Sequence, residues 1–281
     1  MMTRASFLIS RQALFPKFFC QSLLWLCFLA LAACQSQPES TQAPPTPPPP
    51  NVHSLIFIDK SVSFDLSSDY AKNKYKKVIQ QVVQQNVQQN GDRVEVYYVH
   101  ENTAQAKVFS AQCKLQTPDT VGLNKTDLAA IKSNYAFALK KEKMKLINRS
   151  LKALEEDNTH ETNKQTDLWA SLGIIDKRKA KLKDNTLLKV YYFSDMVESM
   201  KGTGRRDFHQ RPPFSRAQAE QWAQEDAQRF KDAEIEELEV YYILPYSPLS
   251  ATNKNNPFVI TYWEKLFNIL GIEELAELNA E

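Results

Sequence analysis

Two carboxylates and three hydroxyls stand where a divalent cation could be held. Asp59, Ser61 and Ser63 form an Asp-x-Ser-x-Ser run directly after the apolar stretch Leu55-Ile56-Phe57-Ile58. Thr166 lies in Gln165-Thr166-Asp167, just ahead of a helix-forming segment, and Asp195 closes the run Tyr191-Tyr192-Phe193-Ser194-Asp195. Carboxylate and hydroxyl oxygens are hard donors that suit Mg²⁺, Mn²⁺ or Ca²⁺. Taken alone, the first run also suits helix capping, because Ser and Asp after a strand satisfy free N–H groups of the next helix. Capping predicts neither Thr166 nor Asp195.

These residues need elements to position them. The four apolar residues before Asp59 read as a strand buried on both faces. A helix follows, with Tyr75, Val78, Ile79, Val82 and Val83 on one face and Asn90-Gly91 as its stop. Arg93 to His100 reads as a second strand and Ala106 to Ser110 as a short edge strand. A long helical stretch, 126–157, of one or two helices, offers Leu128, Ile131, Leu139, Leu146, Leu151 and Leu154 as its buried side. A helix with Leu168, Leu172 and Ile175 comes next, then a strand from Leu187 to Phe193 and a loop from Met196 to Ser215. The last elements are a helix burying Trp222, Ala223, Ala227 and Phe230, a strand from Leu238 to Leu244, and a helix burying Trp263, Leu266, Phe267 and Leu270. Strands alternating with helices predict an α/β fold: a doubly wound, mainly parallel sheet with helices on both faces and one short antiparallel edge strand. In such a sheet Asp59 and Asp195 leave from the same edge, where ligands bind.

The five residues, in this order and on these element types, resemble the metal-ion-dependent adhesion site of von Willebrand factor A (vWA) domains. The resemblance spans residues 52–272, with 126–157 as a helical elaboration. It implies that Ser61, Ser63 and Thr166 contact the metal directly. Asp59 and Asp195 then act mostly through water. Mg²⁺ is the expected ion, with Mn²⁺ or Ca²⁺ as substitutes, and the open coordination position would accept a carboxylate from a protein or peptide partner. This chain departs from the family in reading Thr162-Asn163-Lys164-Gln165 before Thr166 and Met196-Val197-Glu198 after Asp195.

The amino terminus speaks of location. Arg4, Arg11 and Lys17 precede an apolar segment that ends in Leu31-Ala32-Ala33-Cys34. A basic start, an apolar core and small residues before a cysteine match a secretory signal. They resemble a bacterial lipoprotein signal, residues 1–33, cut before a lipidated Cys34. The apolar core falls short of the roughly 20 residues of a membrane span. The resemblance to Gram-negative lipoproteins, in which an Asp at the second position is an inner-membrane retention signal, implies the outer membrane for a chain with Ser36. Residues 34–51 form a Pro-rich linker that reaches about 50 Å at ~3.1 Å per residue. The formal charge of the whole chain is +2, but residues 1–33 hold three basic and no acidic groups, so the mature chain carries −1. Nothing in that balance calls for nucleic acid. Cys113 alone remains as a thiol, which excludes an internal disulfide and a cysteine-based metal site.

Weaker features follow. Lys201, Arg205, Arg206 and Arg211 form a basic loop near the expected rim, able to draw in an acidic partner or to be a plain solvated loop around Gly202 and Gly204. Residues 273–281 read as an acidic, solvating tail, and the four histidines as surface or loop residues. No G-x-G-x-x-G or P-loop pattern occurs. The expected function is therefore a non-enzymatic, membrane-anchored binding lipoprotein of the cell envelope. Two alternatives are a Mg²⁺-dependent hydrolase and a structural envelope lipoprotein that does not use its metal site. The first alternative resembles haloacid-dehalogenase-like phosphatases, but those need Asp-x-Asp where this chain has Asp59-x-Ser61.

Overall fold

The computed structural model describes residues 48–61, 68–116, 118–157, 164–246, 256–272 and 275–279. Ser63, Cys34, the expected signal, nearly all of the spacer before Pro48 and His160 lie outside these residues. The folded unit runs from Pro49 to Glu281.

Its elements are β1 (Asn51–Asp59), α1 (Asp69–Asn86), β2 (Arg93–Val99), β3 (Lys107–Gln112), α2 (Lys125–Glu155) and α3 (Trp169–Lys179), followed by β4 (Thr186–Phe193), α4 (Arg216–Ala227), β5 (Glu239–Ile243), α5 (Pro257–Ile269) and β6 (Leu275–Glu277). They build one six-stranded sheet in the order β3-β2-β1-β4-β5-β6. All neighbours are parallel except β3, which runs antiparallel to β2 at one edge. This is a mixed α/β architecture compatible with a vWA or Rossmann-like fold.

The centre of the sheet explains the first apolar run. β1 lies between β2 and β4, so both of its faces are covered. Leu55 and Phe57 enter one core, beneath α3, α4 and α5, while Ile56 and Ile58 enter the other, beneath α1 and α2. Full burial of each such side chain contributes about 1.5–3 kcal/mol, less the ordering cost. The same logic places Tyr75, Val78, Ile79, Val82 and Val83 of α1 in the second core, as the helical spacing predicts.

Three expectations change. The stretch 126–157 forms one helix, α2, and its fully buried residues begin only at Leu146. Leu128 and Ile131 belong to neither core and Phe137 is 72% exposed, so the first turns join no core layer among the described residues. The supposed acidic tail contributes β6, which pairs in parallel with β5. Its Leu275 is buried, so a strand hides inside an acidic composition. His53 and His100 are buried rather than superficial: His53 meets Glu95 at 3.1 Å, and the His100 ring accepts from the Asn102 N–H.

Candidate metal centre

β1 ends at Asp59, whose carboxylate is 0% exposed. Parallel strands deliver their carboxyl ends to one rim, and Ile58 is in register with Phe193, which brings Ser194 beside Asp59. Ser194 donates its hydroxyl to Asp59 Oδ2 at 2.7 Å. The Ser61 N–H donates to Oδ1 at 2.9 Å, and the Ser61 hydroxyl adds a further hydrogen bond. Burial pushes the Asp59 carboxyl up from its ordinary value, against the pull of these donors. No lysine or arginine pairs with it among the described residues. A buried carboxylate of this kind gains from a cation.

Asp195 follows β4 by two residues and is half-buried. Its Oδ1 accepts from the Val197 N–H at 3.0 Å, which fixes the turn. Met196 takes a left-handed backbone, φ 63°, a conformation rare for side chains larger than Asn. Its carbonyl accepts from the Trp263 indole at 2.7 Å, and its side chain is fully buried. The core thus holds a turn that glycine would otherwise serve. Tyr75 lies under both acids: burial first, then Asp195 and Asp59, raise its phenol well above normal.

Thr166 arrives between these strands, 1% exposed. Ser199 clamps its backbone twice, accepting from Thr166 N at 2.8 Å and donating its own N–H to Thr166 O at 3.0 Å. The next N–H, of Asp167, donates to His100 O at the end of β2. Yet the Thr166 Oγ1 is buried with no hydrogen-bond partner. An orphaned buried hydroxyl costs about 1–3 kcal/mol, and an ion is one accepted explanation for such a group. Asp59, Ser61, Thr166 and Asp195 therefore share one rim; Ser63 lies outside the described residues. Two carboxylates and hydroxyls of this kind fit Mg²⁺, Mn²⁺ or Ca²⁺ rather than a soft metal. Among the described residues, no group of three or more His, Cys, Asp or Glu is placed to hold a metal.

The supporting roles of four residues escape a reading of sequence. Ser194 and Ser199 look like ordinary loop serines until β1 and β4 are neighbours. Glu198 is fully buried; its Oε2 accepts from the N–H groups of Leu168 and Trp169 at the start of α3. Burial pushes its carboxyl up to about 8, while Arg205 at 2.6 Å pulls the other way. Arg205 also pairs with Asp167 at 2.5 Å and lies over the Trp169 ring. The only sequence signal was the Ser-Asp-Met-Val-Glu-Ser cluster after the strand.

The basic loop is pinned rather than loose. Arg205 is engaged as above, and Arg206 pairs with Asp226 and Glu225 over the Trp222 ring. Phe208 is buried against Trp222 and Tyr262. Arg205 and Arg206 are thus engaged in ion pairs within the fold. Lys201 and Arg211 remain exposed, as does Phe214 at 78%. Lys60 points away from the rim: its ammonium donates to the carbonyls of Leu154 and Glu156 at the end of α2, and burial lowers its pKa to about 8.

No family model and no curated protein matches the chain. Among solved structures, proximal thread matrix protein 1 from the mussel byssus is 12% identical with a TM-score of 0.37, over 83% of this chain and 44% of its own. The manganese-loaded TRAP protein of Plasmodium vivax is 11% identical with a TM-score of 0.34, over 74% of this chain and 62% of its own. The chain thus spans less than two thirds of either. Likeness that slight carries no weight for what the chain does.

Proposed function

We propose that this chain is a non-enzymatic binding protein of the vWA type. Asp59, Ser61, Ser63, Thr166 and Asp195 would hold a divalent cation, Mg²⁺ first, at the carboxyl rim of the sheet. That cation would supply an electrophilic centre for a carboxylate of a protein or peptide partner. The observation that carries the reading is the unpartnered, buried Thr166 hydroxyl on the same rim as the buried Asp59, which has no lysine or arginine beside it in an ion pair among the described residues. The residues of this chain do the positioning. Ser194 and Ser61 hold Asp59, Ser199 holds the Thr166 backbone, and the Asp195 turn is fixed by Val197 and Trp263. Lys201, whose N–H donates to the Gln165 side chain next to Thr166, is exposed, as are Arg211 and Phe214, and these would be available to a partner. A lipid on Cys34 and the Pro-rich spacer would present this rim at the bacterial envelope, with the outer membrane favoured.

Titration calorimetry of the full chain with Mg²⁺, Mn²⁺ and Ca²⁺ tests the reading. Saturable binding by at least one ion, lost in Asp59→Ala and Thr166→Val, is expected. No binding by any of the three would end it. A pull-down from envelope extract with and without EDTA then tests whether partner capture needs the ion.

A further inference from the structure

At the opposite end of the strands, a cavity of about 410 Å³ opens on the α3 side of the sheet. Its floor is the start of β1 and β2, where His53 and Glu95 are buried. Glu95 is already neutralised: Arg178 from α3 reaches it at 2.7 Å, and His53 at 3.1 Å. Around this floor stand Arg93, Lys107, Lys181 and Lys183. None of the four forms an ion pair among the described residues. Arg93 is set by two neutral acceptors, Ser110 Oγ at 2.9 Å and Gln112 Oε1 at 3.2 Å, which orient its guanidinium and leave its charge unmatched.

Lysines after a helix often do no more than offset its dipole. That accounts for Lys181 and Lys183, which follow α3, but not for Arg93 on β2 and Lys107 on β3. Cations from three separate elements converge on one concavity, where their mutual repulsion costs stability and a walled site focuses the field. A single carboxylate would offset one charge of four. A phosphoryl group carries up to two charges and a pyrophosphate more. Arginine's planar fork matches their oxygens, and lysines add point charges. The volume falls within the usual range for small-ligand sites, about 300–1,000 Å³.

We infer that this cavity binds a compact, multiply charged phosphate ester or pyrophosphate group, at a site separate from the metal rim. The test titrates the full chain, in EDTA, with inorganic pyrophosphate and, in parallel, with acetate and citrate. Saturable pyrophosphate binding is expected, with affinity about tenfold above that for citrate and weakening as salt rises. The paired substitution Lys181→Gln/Lys183→Gln, at two exposed positions, is expected to weaken it about tenfold, as is Arg93→Gln. The same charge change on α2, Lys140→Gln/Lys141→Gln, should leave it unchanged. Absence of saturable pyrophosphate binding, citrate binding as tight, or equal loss in the α2 pair would overturn the assignment.

Discussion

The Ser194 hydroxyl lies 2.7 Å from Asp59 Oδ2 and ties the end of β4 to the end of β1. Because Asp59 is fully buried, this bond and the two from Ser61 are its means of staying hydrated in effect, in place of water. The rim is held in place by the chain's own donors, and several consequences can be measured.

Removing the Ser194 hydroxyl in Ser194→Ala leaves Asp59 Oδ2 short of a donor. A hydrogen bond to a charged group contributes about 1.5–3 kcal/mol. Urea unfolding should show a lower midpoint at unchanged slope, with a loss of about 2 kcal/mol. An unchanged midpoint would mean that Ser194 does not support the carboxylate.

Thr166→Val tests the orphaned hydroxyl in the opposite sense. Valine keeps the shape and discards an unsatisfied polar atom. In EDTA the variant should be at least as stable as the parent, by about 1 kcal/mol. With Mg²⁺ added, the parent should gain thermal stability and the variant should not. If the variant is destabilised in EDTA, the hydroxyl has a partner and the metal reading loses its main support.

Arg205 compensates a carboxylate that is fully buried. Arg205→Gln removes the cation shared by Asp167 and Glu198, and above pH 8, where the Glu198 carboxyl is ionised, should cost about 3 kcal/mol. The pair Arg205→Gln/Glu198→Gln should recover part of that loss. A double-mutant cycle reads the coupling directly; simple additivity would show that the two side chains act independently.

Glu95 gives the pH dependence a sign. Burial alone would raise its carboxyl, but the hydrogen bond from His53 and the charge of Arg178 outweigh it and hold the pKa below the ordinary 4.5. The folded state therefore binds this proton less readily than the unfolded chain. Its contribution is present above 4.5 and is lost as pH falls from there through the folded value. Unfolding midpoints compared at pH 6 and at about pH 3.5 should show the drop, and Glu95→Gln should make it shallower. A steeper fall in the variant would contradict this assignment.

Sequence alone determined a good deal. The apolar run before Asp59 forces a doubly buried strand, and a polar residue at its end must sit at the rim. The spacing of Tyr75, Val78, Ile79, Val82 and Val83 forces one face of α1 inward. These are local patterns whose period is that of the element itself. The same local logic misled where burial depended on a distant layer. Leu128 and Ile131 have the right spacing in α2 but join neither core among the described residues, and Leu275 in an acidic stretch finds β5.

The tertiary structure decided everything that joins segments far apart. Ser194 and Asp59 are 135 residues apart in the chain, and only the β1–β4 pairing makes them neighbours. Arg205 reads as a free basic residue in sequence, yet folding sets it between Asp167 and Glu198 and removes it from the surface charge. Which charges are cancelled and which are left over depends on desolvation and distance, and neither exists until the layers pack. Asp59-x-Ser61 announced an oxygen-rich rim; the sheet order supplied Ser194 to hold it and left the Thr166 hydroxyl without a partner.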